Sequence, residues 1–199
     1  MSAYLRFLAV GLVFAAVEEI LTVWVLRGDL GGLLVALLVL FPVYLTVAYL
    51  AGRAANRLIP AALQREVTYY LTLGLLGVMI EWFLIGLPPW SDPDAEPLLM
   101  LVFQLGMFSF WASVAYLPRL FTQPPGRGGP LNAKILWFYV PYFLIVYFVA
   151  FTISPQLRFN ALIALIIFGY MFLNLFYLRY FAFLAGRRIT RAGSPRNSA

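Results

Sequence analysis

Long apolar runs alternate with short polar intervals along this chain. Six of the runs are long enough to cross a bilayer, at approximately 4–26, 30–52, 68–88, 97–118, 135–155 and 159–186. About 20 helical residues span the hydrocarbon core. In lipid every backbone N–H and C=O must find its partner inside the protein, which a helix achieves alone. The pattern predicts an all-α, polytopic membrane protein with a bundle of six transmembrane helices. We read one domain over 1–190 and a disordered basic tail over 191–199. The last run exceeds the membrane thickness, so it tilts or ends among the headgroups. The first run is too long, and its acidic residues lie too deep, for a cleaved signal peptide.

The polar intervals set an orientation. Arg6, Arg53, Arg57, Arg65, Arg119, Arg127, Lys134, Arg187, Arg188, Arg191 and Arg196 share one side. Arg27 and Arg158 lie on the other, with Asp29, Asp92, Asp94 and Glu96. Basic loops stay in the cytoplasm, so both termini are expected there. The expected location is the cell (plasma or inner) membrane of a prokaryote. Residues 53–67 read as a cytoplasmic loop, with a short interfacial helix from Pro60 that turns Gln64, Arg65 and Glu66 toward water. Residues 122–130 read as a flexible linker.

Composition narrows the chemistry. Hydrophobic residues make up 63% and charged ones 11%, well outside the range of soluble domains. Cysteine and histidine are both absent from the sequence. Thiolate chemistry, disulfides and imidazole ligation are therefore excluded, and no cofactor or metal is expected. The pI of 9.8 reads as arginine topology signals facing an anionic leaflet, so no nucleic-acid partner is expected. The expected partners are the lipid bilayer and a small solute or lipid ligand. A membrane-protein partner or a second copy of the chain is the further alternative.

Glu18, Glu19 and Glu81 interrupt the apolar runs. A charge at such depth costs about 2.5 kcal/mol or more and marks a candidate functional site. At a rise of about 1.5 Å per residue, all three lie roughly 4–6 Å outside the midplane. Gln104 on the fourth helix falls at the same level. Gly11, Ala15, Glu18 and Thr22 form one stripe of the first helix, and Gly74, Gly77 and Glu81 a stripe of the third. Small residues let membrane helices approach closely. If these stripes face each other, Glu18 and Glu81 meet, and at least one holds a proton. The expected binding or proton site is Glu18, Glu81, Glu19 and Gln104, with Thr22, Asn174 and Tyr142 as lining. Arg179 is expected to snorkel to the headgroups. The alternative for the glutamates is purely structural hydrogen bonding between helices.

A faint repeat accompanies the helices. Ala48-Tyr49-Leu50, Ala115-Tyr116-Leu117 and Ala182-Phe183-Leu184 begin 67 residues apart, each followed closely by arginine. Duplicated hairpins explain it, and so does selection of aromatic and basic residues at membrane interfaces.

Ala16-Val17-Glu18-Glu19 and Met79-Ile80-Glu81-Trp82 resemble the Pro-x-Glu-Glu segments of the small membrane lycopene cyclases over a few residues. Both lack the proline and the second has a single glutamate, so no catalytic role carries over. In size and helix count the chain is similar to the substrate-binding membrane subunits of vitamin importers. Three functions remain open: transport or binding of a small solute, proton or cation; carboxylic-acid catalysis on an isoprenoid or other lipid; and a non-catalytic subunit of a membrane complex.

Overall fold

A computed structural model describes residues 2–86, 96–122 and 129–192. The described residues form helices and short turns, without a strand. Six helices among them are long and apolar enough to cross a membrane. They are α1 (Ala3–Val25), α2 (Leu30–Leu58), α3 (Ala62–Ile85), α4 (Pro97–Phe121), α5 (Gly129–Thr152) and α6 (Pro155–Ala192). The acidic segment with Asp92 and Asp94, most of the 122–130 linker and the tail beyond Ala192 lie outside the described residues.

Local signals set the helix ends. The Ser2 hydroxyl accepts from the Leu5 N–H at 3.2 Å and starts α1. Asp29 caps α2 by accepting from the Gly32 N–H at 2.7 Å. Beyond the ends of α1 and α3, Gly28 and Gly86 take φ of 69° and 81°, which side-chain-bearing residues avoid. Between α2 and α3 the chain turns over 59–61 alone. The expected loop over 53–67 is therefore mostly helix, and Glu66 is buried instead of facing water.

The fourth helix is the hub. Nearly every residue from Gly106 to Leu120 is buried, and the helix packs against the other five. A helix apolar all round belongs in the middle of a bundle. Toward Pro97, by contrast, Leu98, Leu99, Leu101 and Leu105 are exposed. The bundle is thus tight around α4 at the end that carries both termini and looser at the far end.

Glycines allow the close approaches, but not between the helices the stripes suggested. A Cβ on Gly11 would stand 2.5 Å from a Leu45 methyl of α2. One on Gly74 would meet the Phe108 ring at 2.4 Å, and one on Gly77 the Trp111 ring at 2.0 Å, both on α4. Helices α1 and α3 each pack on α4 and not on each other's stripes. A groove of small residues accepts whichever bulky side chain reaches it, and α4 supplies the aromatics.

Buried tyrosines stitch the centre. The Tyr44 hydroxyl donates to the Trp111 carbonyl at 2.8 Å and lies 3.1 Å from that of Leu73. The Tyr69 hydroxyl lies 3.1 Å from the Ala48 carbonyl and 3.4 Å from that of Ala115. Ala48 and Ala115, like Tyr44 and Trp111, are 67 residues apart, so corresponding levels of α2 and α4 adjoin. Ala182, the third member of the series, is exposed on α6.

Candidate functional site

At the end opposite the termini lies a cavity of about 320 Å³. Glu18, Glu19 and Thr22 reach it from α1, and Glu81 from α3. The glutamates are half-buried, and Thr22 is buried. The Thr22 hydroxyl donates to the Glu18 carbonyl at 3.1 Å, one turn back along the helix. The charge of Glu81 is felt at both Glu18 and Glu19, although α1 and α3 do not pack stripe to stripe. The carboxyls border a shared cavity instead of a helix contact.

Trp111 fixes one of them. Its indole N–H donates to Glu81 Oε1 at 3.0 Å. The indole itself sits over Gly77, one turn before Glu81 on α3. Sequence reasoning passed over Trp111 because nothing in its neighbours along the chain distinguishes it from a packing aromatic.

Arg27 was also passed over, and it lies at the cavity together with Asp29. Arg27 thus borders the same cavity as the carboxyls of Glu18, Glu19, Asp29 and Glu81. The opposite wall is apolar, with Phe103, Met107 and Phe110 from α4 and Ile163, Ile166 and Ile167 from α6. Among the described residues no group of three acidic side chains is arranged to hold a metal ion.

Three widened helical turns border the cavity. In α1 the Leu26 N–H reaches the Leu21 carbonyl at 3.0 Å, five residues back. The same i→i+5 pattern recurs over Ala36–Leu40 in α2 and Glu81–Ile85 in α3. Those in α1 and α3 are closing turns that run into the positive-φ glycines. The one in α2 precedes Pro42, which has no N–H to give and whose ring presses on the carbonyl four residues back. Such turns are rare and collect at functional sites.

The remaining expected residues lie elsewhere. The Gln104 side chain accepts from the Trp82 indole N–H at 2.8 Å and is not part of the cavity wall. Asn174 pairs with the Tyr70 hydroxyl and donates to Ser109 Oγ at 2.7 Å. Tyr142 donates to the Leu165 carbonyl at 2.6 Å and packs over Gly169, joining α5 to α6. Depth along a helix does not determine facing, and these three turn toward neighbouring helices. Tyr170 is the tyrosine of the buried core that does reach the cavity. Arg179 is exposed on α6.

Comparison with known protein families, curated proteins and solved structures finds no match to this chain.

Proposed function

We propose that the chain binds a small cationic solute or a proton at the cavity of Glu18, Glu19 and Glu81, as a step in its transport across the membrane. The observation that carries this reading is the charge imbalance: four carboxyls border one cavity with a single guanidinium, Arg27, and only Asp29 among them is committed to a helix cap, which leaves Glu18, Glu19 and Glu81. Three like charges in a low-dielectric space cannot all stay ionised without a compensating cation, and in its absence protons neutralise part of them. A bound cation supplies the missing charge, and its departure requires protons to take its place. This exchange couples solute to proton. The cavity volume suits a small molecule. With both termini in the cytoplasm the site lies in the outer half of the bilayer.

The test uses the purified protein in liposomes carrying an internal pH dye. Tetraphenylphosphonium serves as the probe cation and dicyclohexylcarbodiimide as the carboxyl reagent. Carbodiimide modification should map to Glu18 or Glu81 and be slowed by the probe cation. Glu18→Gln and Glu81→Gln should each fold and insert yet abolish proton movement, because an amide keeps the hydrogen bonds but cannot ionise. Glu19→Gln should have the milder effect. Unchanged carbodiimide modification of the Glu18→Gln, Glu81→Gln double variant would place the reactive acid elsewhere and end this reading.

The apolar wall supports a second reading, in which the cavity takes a hydrocarbon chain and a carboxyl of the cluster acts as the acid on an isoprenoid or other lipid. Chemical change in a lipid that co-purifies in mild detergent, without any proton flux, would favour it.

A further inference from the structure

The end of the bundle that carries the termini holds a second cavity, of about 690 Å³. Its charge is opposite to that of the first. Arg53, Arg65 and Arg119 line it together with a single acid, Glu66. Glu66 is buried, and Arg119 grips it with two hydrogen bonds of 2.8 Å, from Nε and Nη2. Arg65 Nε reaches the same carboxylate at 3.3 Å. Arg119 is committed further: it donates to Asn56 Oδ1 at 3.0 Å, to the Gly52 carbonyl at 3.5 Å, and lies 4.5 Å over the Tyr69 ring. A Cβ at residue 52 would come 2.8 Å from Arg119 Nη1, so glycine there makes room for the guanidinium.

Two guanidiniums thus share one carboxylate, and Arg53 adds a third positive charge at the rim. The pair Arg119–Glu66 is neutral and fully hydrogen-bonded. The excess falls on Arg65 and Arg53, whose forked N–H groups match phosphate oxygens. Beside them the wall turns apolar, with Phe7, Tyr49 and Leu184. We propose that this cavity is a binding site for a phosphate-bearing anion, its phosphate between Arg53 and Arg65 and any apolar part along that wall. The site is independent of the carboxylate cavity and of the reading given to it.

Two sources of phosphate are distinguished by two arms. Purified protein in neutral detergent is titrated with short-chain phosphatidylglycerol, against phosphatidylcholine, and followed by native mass spectrometry. Inorganic phosphate is titrated separately by calorimetry. The test variant is Arg53→Gln, Arg65→Gln, which leaves the Arg119–Glu66 pair intact. The control is Arg6→Gln, Arg57→Gln, two exposed arginines outside the cavity wall that remove the same charge. We expect phosphatidylglycerol to bind at least tenfold more tightly than phosphatidylcholine, and the test variant to lose that preference while the control keeps it. Binding of inorganic phosphate with the same dependence on Arg53 and Arg65 would assign the site to the phosphate group alone. Equal losses in test and control variants, or no binding in either arm, would overturn the proposal, since surface attraction alone weakens with any arginine removed. Should the double variant unfold, the exposed Arg53→Gln change by itself serves the comparison.

Discussion

The indole N–H of Trp111 and the carboxylate of Glu81 meet at 3.0 Å, and this bond ties the central helix to the wall of the carboxylate cavity. Removing the donor while keeping a ring of similar bulk isolates the bond. Trp111→Phe should lower stability by about 1–3 kcal/mol, the cost of leaving a half-buried acceptor without its partner. Thermal unfolding in detergent measures it. The variant should also change the rate of carbodiimide modification at Glu81, located by mass spectrometry.

The contact beneath that bond predicts a contrast between two glycines. Gly77→Ala places a methyl 2.0 Å from Trp111 Cγ, so the ring or the helix must move. The expected loss is about 1–3 kcal/mol, typical of overpacking. Gly31→Ala on α2 meets only Asp29 Oδ1 at 3.5 Å, an ordinary van der Waals contact. There alanine should be neutral or stabilise by up to about 1 kcal/mol, as in any open helical position. Equal melting temperatures for the two variants would contradict the α3–α4 packing.

The buried pair Glu66–Arg119 predicts strong non-additivity. Glu66→Leu strands two guanidiniums without an anion, Arg119→Met strips the buried carboxylate of its main partner, and each should cost about 3–5 kcal/mol. The double change Glu66→Leu, Arg119→Met removes both charges and should cost clearly less than either single change. A double-mutant cycle on unfolding free energies reads the difference. Additive costs would mean that the pair is not coupled.

Orientation is checked with introduced thiols, because the chain has no cysteine of its own. Gln64 and Glu96 are exposed and lie near opposite ends of the bundle. If both termini are cytoplasmic, Glu96→Cys should react with an impermeant maleimide in intact cells, and Gln64→Cys only after lysis. The reverse pattern would invert the protein and put the carboxylate cavity in the inner leaflet.

The sequence by itself determined the helices and the unusual residues. Apolar runs of membrane length have one economical backbone solution in lipid, and glutamates inside such runs stand out because each would carry a solvation cost there. Only the tertiary structure decided the partners. Glu18, Glu19, Thr22 and Glu81 border one cavity, while Gln104, at the same depth, turns to Trp82. Periodicity places a side chain on a face, but it does not say which helix that face meets. The glycine stripes of α1 and α3 were legible, and their occupants, Leu45, Phe108 and Trp111, were not. Glu66 and Arg119 read separately as a solvated acid and a topology signal, 53 residues apart. Packing α3 against α4 buried both, and a buried charge must find its opposite.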